Sequence, residues 1–147
     1  GGCKSCHVVY RVRIAVLKLD DLDEFLQARA GIDFPLRHAL AFLEIGVLIY
    51  ENDHVVAFRD ISPQAPTHVL IIPRKHISTI NELDAGDAEI IGNLYLAAKE
   101  IAATEGLAER GYRTTMNCNA DAGQSVFHIH LHLTGGHAMG WPPWPNS

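Results

Sequence analysis

Residues 84–104 read DAGDAEIIGNLYLAAKEIAAT, and this stretch decides the fold class. Ile90, Ile91, Leu94, Ala97, Ala98 and Ile101 recur at helical spacing, which predicts one buried stripe running to about Thr104. Asp84 is suited to cap the helix and Gly106 to stop it. On both sides the pattern turns strand-like. Thr67 to Pro73 (THVLIIP) is an apolar strand. Before it, Val47 to Glu51 and His54 to Asp60 flank Asn52-Asp53 as a hairpin, and two prolines mark Ser62 to Pro66 as a loop. After the helix, Tyr112 to Cys118 and Val126 to Leu133 read as strands around a turn at Asn119 to Gly123. Strands, one long helix and strands again predict an α+β fold with an antiparallel sheet.

The first 46 residues are less regular. Tyr10, Val12, Ile14 and Val16 alternate with Arg11 and Arg13, a strand pattern over 8–19. Acidic residues from Asp20 open a helical pattern ending near Gly31, and Pro35 opens another with Leu36, Leu40 and Leu43 on one side. The division expected is an atypical segment over 1–46 and one domain over 47–147.

The chain has 147 residues, 48% of them apolar and 20% charged, which excludes disorder, collagen and a disulfide miniprotein. A net charge of −5 gives no basic face for a nucleic-acid duplex. No apolar run reaches the length of a membrane span, and the first residues do not read as a signal peptide. Three cysteines without regular spacing predict a reducing compartment, hence the cytoplasm, with the nucleus as a second location.

The nine histidines are unevenly spread. On a strand over 126–133, His128, His130 and His132 would share one face, with Phe127, Ile129, Leu131 and Leu133 turned into the core. A polar outer face that happens to use histidine is the plainest explanation. A zinc site with an open position is the second. Nucleophilic catalysis by one imidazole, with its neighbours setting the tautomer and moving protons, is the third. His68, on a second apolar strand, weakens the first. Gln124 and Ser125 favour the third, because an amide and a hydroxyl suit phosphoryl oxygens and bind zinc poorly.

Gly123 to Leu133 (GQSVFHIHLHL) resembles the signature of the histidine triad (HIT) superfamily. Asp60 to His68 (DISPQAPTH) and Ile72 to His76 (IPRKH) look like its nucleotide-binding HINT branch, as do Gly135-Gly136 and Trp141-Pro142-Pro143. The similarity runs from about Val47 to Pro145. Thr134 stands where an apolar residue is usual, and residues 1–46 lack the branch's Phe-x-x-Ile helix.

The resemblance implies a homodimeric hydrolase of purine nucleoside phosphoramidates, adenosine 5′-monophosphoramidate among them, and of acyl-adenylates. It implies His130 as nucleophile, forming a nucleotidyl-histidine, with His132 and His128 orienting and polarising it. His68 would complete the proton relay, and Ser125 would bond the phosphate or the leaving nitrogen. Asn117 and Gln124 would hold the phosphate. Asp60 would accept from the ribose, with Ile61 and Phe58 against the base. Trp141 would belong to a tail reaching the neighbouring subunit. In the dimer the helix around Ile90 to Ile101 and the strand Tyr112 to Cys118 would meet their symmetry mates. No cofactor would be required. A zinc-binding subset of the superfamily joins a Cys-x-x-Cys to two histidines, here Cys3, Cys6, His76 and His128. Two ordinary thiols explain Cys3 and Cys6 as well. His7, His38, His54 and His137 read as surface residues. A nucleotide-binding regulatory or interaction module with weak or no turnover is the alternative function.

Overall fold

The computed structural model describes residues 45–143. The strand and helices expected before Gly46, and Cys3 and Cys6, lie outside the described residues apart from Ile45 and Gly46. Five strands form one antiparallel sheet: β1 (Ile45–Glu51), β2 (Val55–Asp60), β3 (Thr67–Pro73), β4 (Tyr112–Thr115) and β5 (Leu131–Gly135). Their spatial order is β1-β2-β3-β5-β4. One long helix, α1 (Ala88–Thr104), joins β3 to β4. The expected α+β class holds. No described helix is long and apolar enough to cross a membrane.

Local chemistry accounts for the elements. Asn52 Oδ1 accepts the N–H groups of His54 (2.8 Å) and Val55 (2.9 Å), which turns β1 into β2. Asp84 begins a 3₁₀ turn at Ala85–Asp87, and the α-helix proper starts at Ala88. The Asp84 carboxylate accepts from Gly86 N–H, while Asp87 reaches back to Asp84 N–H, a reciprocal capping box. Past the helix end, Leu107 N–H bonds Ala102 O (2.8 Å) and Gly106 N–H bonds Ala103 O (3.2 Å). With Gly106 at φ +75°, this is a Schellman ending.

The stripe on α1 is narrower than its spacing suggests. Leu94, Ala97, Ala98, Ile101 and Ala102 are buried, while Ile90 and Ile91 are half-buried against the core. They pack on one sheet face, formed by Val55, Ala57, Val69, Ile71, Leu131 and Leu133. The opposite face carries Phe58, Leu70 and His132 side by side in register, with Thr115 next to His132. His68 pairs with Thr134 on that same face. The helix covers one side of the sheet, and the histidines gather on the other.

Most strand boundaries fall within two residues of expectation, and two differ by more. β4 ends at Thr115 rather than Cys118, and β5 begins at Leu131 rather than Val126. The cause lies in the loop between them. The Gln124 amide donates to Ser78 O (2.8 Å) and Val126 O (3.1 Å), and its oxygen accepts from Asn119 N–H (2.8 Å). Ile129 N–H is taken by Ile77 O (2.8 Å). These bonds draw the backbone away from a ladder. Strand alternation fails there, and Phe127, expected in the core, is 52% exposed.

Gly136 sits at φ +100°, and a Cβ there would meet Pro66 Cβ at 2.8 Å. Gly136→Ala should therefore lose about 1–3 kcal/mol of stability through backbone strain and this clash. Urea unfolding of the variant beside wild type measures it, and an unchanged midpoint would contradict the close approach.

Candidate active site

Three neighbouring strands supply the site's centre. Asp60 ends β2, His68 lies near the start of β3, and His132 lies in β5. His68 Nε2 is 2.8 Å from His132 Nδ1 and 3.4 Å from Asp60 Oδ2. The His130 ring stands edge-on to His132 at 5.0 Å between centroids. His128 does not join this row. Its ring stacks on His76 at 5.2 Å and its Nε2 lies 3.1 Å from Pro73 O. The shared face expected for His128, His130 and His132 needs a strand through all three, and here the strand begins only at Leu131.

Backbone groups fix the tautomers. His130 Nδ1 lies 2.7 Å from His128 O, which only accepts, so Nδ1 carries the hydrogen and Nε2 keeps its lone pair. His128 likewise donates from Nε2 to Pro73 O, so its Nδ1 accepts from His76 Nδ1–H at 3.0 Å. Gln64 N–H donates to His68 Nδ1 (3.0 Å), which puts the hydrogen of His68 on Nε2, facing His132 Nδ1.

Burial dominates the electrostatics. It is the main cause pulling His128 down to about 3, aided by His76, and His132 down to about 4, aided by His130 and His68. Burial also lowers His68, against the opposing pull of the Asp60 carboxylate.

Asp60, His68 and His132 offer ligand atoms within 4.8 Å of one another. They fit a metal badly. A neutral imidazole ligating through Nε2 needs its hydrogen on Nδ1, and His68 Nδ1 already faces the Gln64 N–H. Of the four candidate zinc ligands, only His76 and His128 fall among the described residues, and they face each other through Nδ1.

The other expected residues divide. Asn117 and Trp141 line one cavity of about 830 Å³ with Gln64, Arg113, Thr115 and Thr134. Trp141 is 83% exposed, and Arg113 donates to Gly140 O (2.7 Å). Ser125 and Ile61 are exposed. Phe58 is buried in the sheet's apolar floor rather than standing as an open wall. Gln124 is buried, and both ends of its amide are engaged within the loop. It braces the segment carrying Ser125 and does not offer itself to a phosphate. Asp60 Oδ1 accepts Ser62 N–H (2.8 Å), so this carboxylate does cap the turn. Sequence reasoning assigned no role to the Gln64 amide, because a backbone N–H leaves no mark in a side-chain pattern.

The family model for the HIT domain matches residues 45–139. The purine nucleoside phosphoramidase of Escherichia coli (strain K12) is 52% identical over 93 residues, 63% of this chain and 78% of that protein. A HIT family hydrolase from Legionella pneumophila Philadelphia 1 superimposes with a TM-score of 0.68 at 48% identity, covering 76% of this chain and 98% of that one. A HIT family hydrolase from Clostridium thermocellum gives 0.63 at 46% identity, covering 65% and 83%.

The depressed histidines set an acid limit on stability. The unfolded chain protonates them near 6.5, the folded chain only near about 3 for His128 and about 4 for His132. Between those values the unfolded state binds more protons, so stability falls as pH drops from 6.5 towards 4, by up to ~1.4 kcal/mol per pH unit for each histidine. Urea midpoints measured across pH 4–7 should fall steadily on the acid side, with a shallower slope in His128→Asn. Equal slopes would show that His128 is not held neutral.

Proposed function

This chain belongs to the HIT domain family, and from that premise we propose that it hydrolyses the P–N bond of purine nucleoside 5′-phosphoramidates. Adenosine 5′-monophosphoramidate is one such substrate, and acyl-adenylates are cleaved by the same attack at the P–O bond to the acyl group, with a carboxylate leaving in place of the amine. The observation that carries this reading is the 2.7 Å contact from His130 Nδ1 to His128 O, which places the hydrogen of the neutral ring on Nδ1 and so leaves Nε2 as its attacking nitrogen.

His130 Nε2 forms a bond to the α-phosphorus as the P–N bond breaks. The departing amine takes one proton from the site. Water then attacks the nucleotidyl-histidine, releases the nucleoside monophosphate and His130, and returns that proton. His132 and His68 form the polar network beside the nucleophile. His128 positions His130 through its carbonyl. Ser125 bonds the phosphate or the leaving nitrogen, and Asn117 helps hold the phosphate. The second oxygen of Asp60 accepts from the ribose hydroxyls, and exposed Ile61 covers the base. Trp141 belongs to a tail that reaches the neighbouring subunit's site. Burial keeps His128 and His132 neutral well below pH 6, so the nucleophile's neighbours carry no fixed positive charge at rest.

We also propose a two-fold dimer. Tyr95 and Leu96 on α1 are 50% and 60% exposed, and among the described residues β4 is an edge strand carrying exposed Tyr112. Pairing across β4 would close the edge and cover the helix residues.

His130→Ala should lower turnover of a fluorogenic adenosine phosphoramidate by at least ~10³-fold, with AMP still bound. Turnover near wild type would reject the nucleophile. AMP binding without turnover in the wild-type protein would favour the regulatory module instead. Light scattering at micromolar concentration should give twice the chain mass, and Leu96→Asp should shift it towards one chain. A wild-type monomer would reject the dimer.

A further inference from the structure

The loop between β2 and β3 is fastened at several points. Asp60 Oδ1 accepts Ser62 N–H (2.8 Å), and the Gln64 side chain donates to Ser62 O (2.9 Å). Pro66 lies against Gly136 so closely that a Cβ on that glycine would be 2.8 Å away. The outcome is one directed bond: Gln64 N–H aimed at His68 Nδ1 (3.0 Å). His68 is buried, with 6% of its surface exposed. Water is therefore a poor substitute for this donor.

Two neutral imidazoles joined by one hydrogen bond have two arrangements. In one, His68 donates from Nε2 and His132 carries its own hydrogen on Nε2. In the other, both hydrogens sit on Nδ1 and His132 Nε2 presents a lone pair. Next to His132, with ring centroids 5.0 Å apart, is His130. Resting on the hydrolase reading, the phosphoryl group attacked by His130 comes to this place. Its anionic oxygens are attracted by an N–H and repelled by a lone pair.

We propose that the backbone N–H of Gln64 is a positioning group for the reaction: by holding His68 in its Nε2–H form, it sets His132 as an Nε2–H donor towards the phosphoryl oxygens. The second arrangement would set Gln64 N–H against His68 Nδ1–H, two donors head to head in a buried place, and is excluded for that reason. Asp60 Oδ2, 3.4 Å from His68 Nε2, favours the same arrangement, because a carboxylate attracts the hydrogen on that nitrogen. The side chain of Gln64 helps to fasten the loop through Ser62 O but makes no hydrogen bond to either imidazole.

Proline removes the N–H, whereas alanine removes only the side chain. The decisive comparison is Gln64→Pro against Gln64→Ala in the full chain. Protein labelled with ¹⁵N-histidine reports each tautomer through two-bond ¹H–¹⁵N couplings at pH 7.5. Wild type and Gln64→Ala should show His68 and His132 with hydrogen on Nε2. Gln64→Pro should show a mixture or the Nδ1–H forms, and its AMP affinity by calorimetry should be about tenfold or more below that of Gln64→Ala. Hydrogen on His68 Nδ1 in wild type would overturn the proposal. So would a folded Gln64→Pro with unchanged tautomers or AMP affinity. Should Gln64→Pro not fold, the wild-type and Gln64→Ala spectra decide alone. Wild type with Nε2–H tautomers and bound AMP, yet no phosphoramidate turnover, would count against the hydrolase reading and leave the tautomer control standing.

Discussion

All seven residues of β3, from Thr67 to Pro73, are buried, so a polar group beside this strand must find its partner inside the protein. Leaving one unpaired costs about 1–3 kcal/mol. His68 sits on the strand itself, and His132 is its diagonal cross-strand neighbour, two residues from its register partner Thr134. Their rings meet that requirement together. Each nitrogen on the His68 side has a defined partner, the Gln64 amide on one edge and His132 on the other. Burial that forces pairing also disfavours the charged form, lowering His68 against the pull of Asp60 and bringing His132 down to about 4.

The same economy governs the segment before β5. Gln124 is a buried amide, and it satisfies itself by tying Ser78, Val126 and Asn119 together. Residues 124–130 are therefore held by side-chain and loop contacts instead of a ladder. Asn119 adopts φ +64°, and Gly123 φ +79°, as the chain bends into this arrangement. The departure from strand geometry separates the histidines. His128 turns to His76, while His130 stays by His132. His130 then meets the carbonyl of His128 rather than its ring.

Much of this was legible in the residues. Thr67–Pro73 agrees with the apolar run to the residue, because a fully buried strand writes itself as consecutive apolar positions. The hairpin was legible from Asn52-Asp53, and α1 from its spacing. Val126 to Leu133 misled, since alternation of apolar and polar residues looks the same whether the chain pairs with a neighbour or not. What decides is the Gln124 amide, whose contacts at Ser78 lie 46 positions away. The histidines of the site could be picked out by type and spacing. Their tautomers could not, being chosen by Gln64 N–H, His128 O and Pro73 O. Phe58 was legible as apolar but not as floor rather than wall. That depends on its register partners Leu48 and Leu70.

The contact between Pro66 and Gly136 has an evolutionary consequence. Surface loops usually absorb insertions and deletions at little cost. The loop over 61–66 is pinned at one end by the Asp60 carboxylate and at the other by a glycine too close for any side chain. Its length is thus part of the site's geometry. In lineages descending from this fold, changes in length should accumulate in other exposed connections, such as the one around Ala108 to Gly111. They should be purged between β2 and β3, where one added residue would redirect a single N–H. Composition there can drift while the residue count stays frozen.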